Sequence, residues 1–265
     1  MKYLYSAILI YLFFGLFLFF FQRKILYNTS GKPKKPSEYD LESVQEIHIS
    51  TSDNEKLLSW YSEPRQNKPI LIYFHGNSFD IGERAYRIKR YIDEGWGVLL
   101  LAWRGYSGNK GKPTEKNLYT DAESAINWAI KNLKINHNQI IIYGESLGSG
   151  VAVEMGTRYN FKSIILEAPF TSITDIAKKR YFLYPVKYLI FDHFDNYSKI
   201  NKVHSPLLII SGKKDEIVPH FHSKILFSKA NYPKENVFID EAIHNNLYDF
   251  NIDKNVINFS STIWK

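Results

Sequence analysis

The chain has 265 residues, 45% of them apolar and 23% charged, which fits one globular domain with a large core plus a short appendix. It contains no cysteine, so a disulfide scaffold, a thiolate zinc site and a cysteine nucleophile are all excluded. The formal net charge is +7, but the lysines are scattered rather than gathered into a stripe and no nucleic-acid motif accompanies them, so nucleic acid is not an expected partner.

From Tyr3 to Phe21 there is no charged residue, and Leu, Ile and Phe dominate. At about 1.5 Å per residue the run spans roughly 28 Å, close to the hydrocarbon thickness of a bilayer. A cleaved secretory signal has a shorter apolar region that ends in small residues. This run continues into Phe21-Gln22-Arg23-Lys24-Ile25-Leu26-Tyr27 without such a site, so an uncleaved transmembrane helix is expected. Tyr3, Tyr5, Tyr11 and Tyr27 fit interfacial positions near its ends. Arg23, Lys24, Lys32, Lys34 and Lys35 follow the run, against Lys2 and the terminal amine before it, and the positive-inside rule then holds the large domain in the cytoplasm. Residues 1–27 are read as anchor and flank. Residues 28–39, with Gly31-Lys32-Pro33-Lys34-Lys35-Pro36, are read as a stiff charged linker, and 40–265 as the main domain.

Val44–Ser50 and Lys56–Ser62 alternate apolar and polar residues around Asp53-Asn54, which predicts a hairpin at a sheet edge. Pro69–Phe74, Gly97–Leu101, Gln139–Tyr143, Ser163–Leu166, Pro206–Ile210 and Asn236–Ile239 are continuous apolar runs, the pattern of parallel strands buried on both faces. Between them, Lys116–Lys134 places Leu118, Ala122, Ala125, Ile126, Ala129, Ile130 and Leu133 on one helical face, with Thr114 as its cap and Glu115 at its positive end. Ile81–Asp93, Ser149–Tyr159, His220–Ala230 and Phe250–Trp264 are further predicted helices. Gly144-Glu145-Ser146-Leu147-Gly148 lies between the fifth strand and a helix opened by small residues. That context is a nucleophile elbow, where flanking glycines remove side chains that would collide at a sharp turn. Eight strands alternating with helices, a hairpin in front and an elbow after the fifth strand describe an α/β-hydrolase fold, a mostly parallel sheet with helices on both faces.

A serine hydroxyl needs a neighbouring base to attack a carbonyl, and in this fold the chain order is serine, acid, histidine. Asp215 follows the seventh strand and His244 the eighth, so Ser146, Asp215 and His244 are the expected nucleophile, orienting acid and general base. Glu216 competes for the acid role, while Asp240 and Glu241 reach His244 only locally. The oxyanion formed on attack needs two backbone N–H donors. Leu147 supplies one; Asn77, after Gly76 in the loop that ends the first long apolar strand, supplies the other, with Ser78 as its rival. His75 is read as a structural support of that loop. This chemistry implies no metal and no organic cofactor.

Phe74-His75-Gly76-Asn77, Arg104-Gly105-Tyr106, Gly111-Lys112-Pro113-Thr114-Glu115, the elbow, Phe170-Thr171-Ser172 and Phe191-Asp192-His193-Phe194-Asp195-Asn196 carry a resemblance, as do the Asp215 and His244 loops. Together they resemble the membrane-anchored α/β-hydrolase-domain proteins of the bud-emergence-suppressor type, over nearly the whole chain and including the N-terminal anchor. The resemblance implies a serine hydrolase, with esterase, acyl-thioesterase and peptidase-like activities all proposed among such proteins. One departure is Asn77-Ser78-Phe79-Asp80, where relatives more often carry small residues, and bulky Phe79 is expected to narrow the oxyanion side of the site.

Residues 171–205 lie where this fold carries its cap and are rich in aromatics from Tyr181 to Phe194. Either these side chains pack onto the core or they roof an apolar pocket over Ser146. With an anchor beside a bilayer, the expected substrate is a small or lipid-like acyl ester or thioester. The alternatives are a serine peptidase-like amide hydrolase and a membrane-tethered scaffold without catalysis.

Overall fold

In the computed structural model, which describes residues 1–262, the N-terminal apolar run forms helix α1 (Lys2–Leu26). By length and composition it is able to cross a membrane, and none of its residues is fully buried. The chain after it stays on the domain surface: Tyr27 is buried, Asn28 bridges to Ser78, and Pro36 is buried in a short 3-10 turn, Pro36–Tyr39.

Strands β1 (Gln45–Ser50) and β2 (Lys56–Ser62) form the predicted antiparallel hairpin, and β1 is an edge of the sheet. Strand β3 (Ile70–Phe74) is followed by a 3-10 turn, Ile81–Arg84, in which Gly82 N–H donates to the Asp80 carboxylate. That turn leads into α2 (Ala85–Asp93). Then come β4 (Gly97–Leu101), α3 (Glu115–Leu133), β5 (Ile140–Glu145), α4 (Leu147–Arg158) and β6 (Ser163–Glu167). The cap contributes α5 (Ile173–Arg180), α6 (Val186–Leu189) and α7 (Asn196–Lys199). After it follow β7 (Leu207–Gly212), α8 (Phe221–Lys229), β8 (Lys234–Ile239) and α9 (Ile252–Thr262).

Among the described residues the strands form one eight-stranded sheet in the order β1-β2-β4-β3-β5-β6-β7-β8. Only the β1/β2 and β2/β4 pairings are antiparallel. Helices cover both faces. Ile140 and Ile142 face a cluster that holds Leu118 and Ala122 of α3 and Val151 of α4, while Ile141 faces one that holds Ile88 of α2 and Val256 of α9. Each such isoleucine, fully removed from water, contributes about 2 kcal/mol, and this two-sided burial is why the central strands are uninterrupted apolar runs.

Three expectations need adjustment. Strand β8 is parallel, but it is not buried on both faces: as the far edge it has a neighbour on one side only, and its residues are half-buried or exposed. Helix α4 begins at Leu147 rather than Ser149, because the helix starts directly at the elbow. The last helix begins at Ile252, since Asn251, at φ 56°, ends the 3-10 turn Leu247–Phe250 before it, and the predicted end at Trp264 lies outside the described residues. The capped helix is as predicted: the Thr114 hydroxyl accepts from Asn117 N–H at 3.1 Å, an arrangement that stabilises a helix start by about 1 kcal/mol.

Candidate active site

Ser146 sits between β5 and α4 with φ 48° and ψ −112°, a conformation that costs a residue with a Cβ about 1–3 kcal/mol. Neighbouring segments hold it there: Ser146 N–H donates to Glu167 O at 2.8 Å, and Ser149 N–H donates to Ser146 O at 2.8 Å. The flanking glycines are required by close approach. A Cβ on Gly148 would lie 2.0 Å from Phe74 O at the end of β3, and one on Gly144 would lie 2.6 Å from Gly148 O. Leu147 is the first residue of α4, so its N–H has no intrahelical acceptor.

The loops after β7 and β8 meet each other. Gly212 packs so close to Ala242 that a Cβ would lie 2.2 Å from its carbonyl oxygen. Asp215 is buried; its Oδ1 accepts from Ile217 N–H at 2.9 Å and Val218 N–H at 2.8 Å, and its Oδ2 accepts from His244 Nδ1 at 2.7 Å. This leaves His244 Nε2 as the free ring nitrogen. The Ser146 hydroxyl and the His244 ring share no hydrogen bond among the described residues. Glu216 is exposed, and Asp240 and Glu241 pair with Lys213 and Lys214.

Asn77 lies in the loop after β3, with its side-chain amide donating to Leu26 O, the last residue of α1, at 2.6 Å. Tyr106 O–H donates to Asn77 O at 3.1 Å, and the neighbouring Ser78 hydroxyl donates to Asn77 Oδ1 at 2.7 Å. Phe79 departs from expectation. Its φ of 64° turns it outward, where it is 57% exposed and takes no part in lining the cavity, so it does not narrow the site.

His75 is fully buried behind this loop. Its Nδ1–H donates to Gly76 O at 2.7 Å, and Nε2 accepts from Trp103 N–H at 3.3 Å. Burial first, and then the Arg84 charge, push its pKa down from 6.5 to about 3, with Glu145 opposing. Between those two values the unfolded chain holds a proton that the folded protein refuses. The ring's contribution to stability is therefore complete above pH 6.5 and is lost as pH falls towards 3, by about 1.4 kcal/mol per pH unit. Denaturant unfolding between pH 7 and 4 is expected to show this slope in the wild-type protein and a shallower one in His75→Gln. Parallel profiles would sink the assignment.

A buried charged cluster, with no direct sign in the sequence motifs, ties the elbow to the Asn77 loop. Arg84 donates from Nε and Nη2 to the two Glu145 carboxylate oxygens at 3.0 and 2.8 Å, and from Nη1 to Ser78 O at 2.8 Å. Tyr73 O–H donates to Glu145 at 3.0 Å, while Arg87 binds Glu167 at 3.1 Å. Burial opposes ionisation of Glu145, but the Arg84 and Arg87 charges outweigh it and hold the carboxyl well below the usual carboxylate range. Removing one partner of such a buried pair costs about 3–5 kcal/mol. The available signal was the spacing of Arg84 and Arg87 with Ile88 and Tyr91: two arginines on the inward face of a helical segment need buried acids.

Ser146, Leu147 and Asn77 open together into a cavity of about 720 Å³. The cap covers it with Ile173, Ile176, Tyr181 and Tyr184, whereas Phe182 and Tyr188 point to solvent and Phe194 packs into the core. The cap aromatics thus divide between the two predicted roles. Helix α1 also lines the cavity, which its reading as an anchor did not anticipate.

Residues 44–201 match the profile of the family described as accessory Sec system GspB-transporter. The uncharacterized protein Rv2307c of Mycobacterium tuberculosis is 32% identical over 232 residues, 87% of this chain and 83% of that protein. Human α/β-hydrolase domain-containing protein 17B is 32% identical over 222 residues, covering 80% and 73% of the two chains. Among solved structures, the Pyrococcus furiosus esterase Pf2001 superposes with a TM-score of 0.72 at 20% identity, over 88% of this chain and 97% of that one, a likeness of fold.

Proposed function

Because the chain belongs to the family described as accessory Sec system GspB-transporter and, among the α/β-hydrolases, to the relatives of α/β-hydrolase domain-containing protein 17B, we propose that it is a membrane-anchored serine hydrolase. In this reading it cleaves esters or acyl-thioesters through an acyl-enzyme on Ser146. The observation that carries the reading is the strained Ser146 at the head of α4, opening into the same cavity as Leu147 and Asn77. Residues 1–27 form the anchor and its flank, 28–39 the connection, and 40–265 the catalytic domain with its cap at about 171–205. The excess of basic residues after α1 over those before it supports a cytoplasmic catalytic domain in this reading.

His244 Nε2 takes the Ser146 proton as Oγ attacks the acyl carbon, and in this reading the Ser146–His244 hydrogen bond forms when substrate is seated. Asp215 keeps the Nδ1–H tautomer and stabilises the imidazolium that forms. Leu147 N–H and Asn77 N–H hold the oxyanion. His244 then protonates the departing alcohol or thiol, and water, activated by the same ring, releases the acid. Full-length protein in detergent is expected to cleave p-nitrophenyl esters and acyl-thioesters far faster than peptide p-nitroanilides. Fast amide turnover beside slow ester turnover would overturn this reading.

A further inference from the structure

On the exposed helix α1, the partly buried residues are Gly15, Leu18, Phe19, Gln22 and Leu26, a stripe at helical spacing. All five line the cavity into which Ser146 opens. Phe13, Phe14, Phe17, Phe20 and Phe21 on the remaining faces are exposed. The stripe rises about 16 Å from Gly15 to Leu26.

The helix is clasped to the cap by polar groups as well as apolar ones. Arg23 Nε and Nη2 donate to Asp192 at 2.8 and 3.3 Å. Gln22 accepts from Phe191 N–H at 2.8 Å and donates to Leu189 O at 3.1 Å. Tyr184 stacks on Tyr11 at 4.6 Å and donates to Tyr11 O at 3.0 Å. A tether needs none of these contacts, since its apolar faces alone suffice to hold it in a bilayer. At the outer end, a Cβ on Gly15 would lie 2.9 Å from the Tyr184 ring, so glycine lets the cap close directly on the helix.

We propose that α1 is a wall of the substrate cavity, and that a long acyl chain lies along Leu18 and Phe19 with its carbonyl carbon at Ser146, having entered beside the helix from the bilayer. The inference rests on the serine-hydrolase reading and adds the substrate class to it. A short acyl group leaves most of a cavity of about 720 Å³ unfilled, whereas a fatty chain buries its methylenes at about 0.8 kcal/mol each. Entry alongside an apolar helix also spares the chain a passage through water.

The test uses full-length protein in phospholipid vesicles, with kcat/KM measured on p-nitrophenyl butyrate and p-nitrophenyl palmitate. Leu18→Trp is expected to lower the palmitate-to-butyrate ratio at least tenfold, and Phe13→Trp, on the lipid-facing side, to leave the ratio within twofold. An unchanged ratio in Leu18→Trp, or an equal fall with Phe13→Trp, overturns the proposal. A second measurement needs no variant: a long-chain alkyl fluorophosphonate with a terminal diazirine, bound to the wild-type protein and irradiated, is expected to crosslink to the α1 peptide. Crosslinks confined to the cap or core overturn the proposal. Hydrolysis that persists in Ser146→Ala would instead overturn the serine reading, so the two failures are distinguishable.

Discussion

Ser146→Ala is expected to lower kcat on p-nitrophenyl butyrate by about 10⁴-fold or more and to abolish labelling by a fluorophosphonate probe. The expected loss is this large because in the proposed mechanism the hydroxyl is the atom that becomes acylated: without it, the two proposed backbone donors would have only a water-attacked carbonyl to stabilise. Alanine keeps the Cβ and with it the strained backbone at φ 48°, so the unfolding midpoint should hardly move. Activity and stability therefore separate cleanly. A variant that retained activity within about tenfold of wild type, or a wild-type protein that took no label, would end the proposed mechanism and favour a silent scaffold.

The second large effect concerns the acid. Asp215→Asn is expected to lower kcat by about 10⁴-fold, because an amide facing Nδ1 favours the imidazole tautomer that has its proton on Nε2, where the base must be free. Glu216→Gln, at an exposed position one residue later, should cost far less, within about tenfold. Asp215 also accepts two backbone N–H bonds, so Asn carries a stability cost of about 1–3 kcal/mol, which unfolding measurements must separate from the kinetic one. If Glu216→Gln proved the more damaging change, the roles would be reversed.

Central strands such as Ile140-Ile141-Ile142 were legible because burial on both faces leaves no polar residue to interrupt them. The elbow was legible because close approach forces glycine at 144 and 148. The start of α4 was obscured: Gly148, Ser149 and Gly150 form helix poorly on their own, and tertiary contacts impose the helix there. The apolar run of β8 reads like a buried strand, but its place at the sheet edge is a property of the whole sheet. The Arg84–Glu145 pair went unread because a charged side chain is ordinarily solvated. The Arg23–Asp192 pair joins residues 169 positions apart, and no local pattern records such a meeting.

Asp192 is nearly buried and holds two elements at once, accepting from Arg23 of α1 and from Glu115 N–H at the start of α3, 3.0 Å away. Tyr27, just past α1, is part of the core itself. Trimming the gene to produce a detergent-free domain would therefore be a surgical act on the domain itself. It would strip one side from the cavity, deprive Asp192 of its cation and, if taken past residue 27, remove a core tyrosine. Recombinant production that keeps α1 and Tyr27, in micelles or nanodiscs, preserves these contacts.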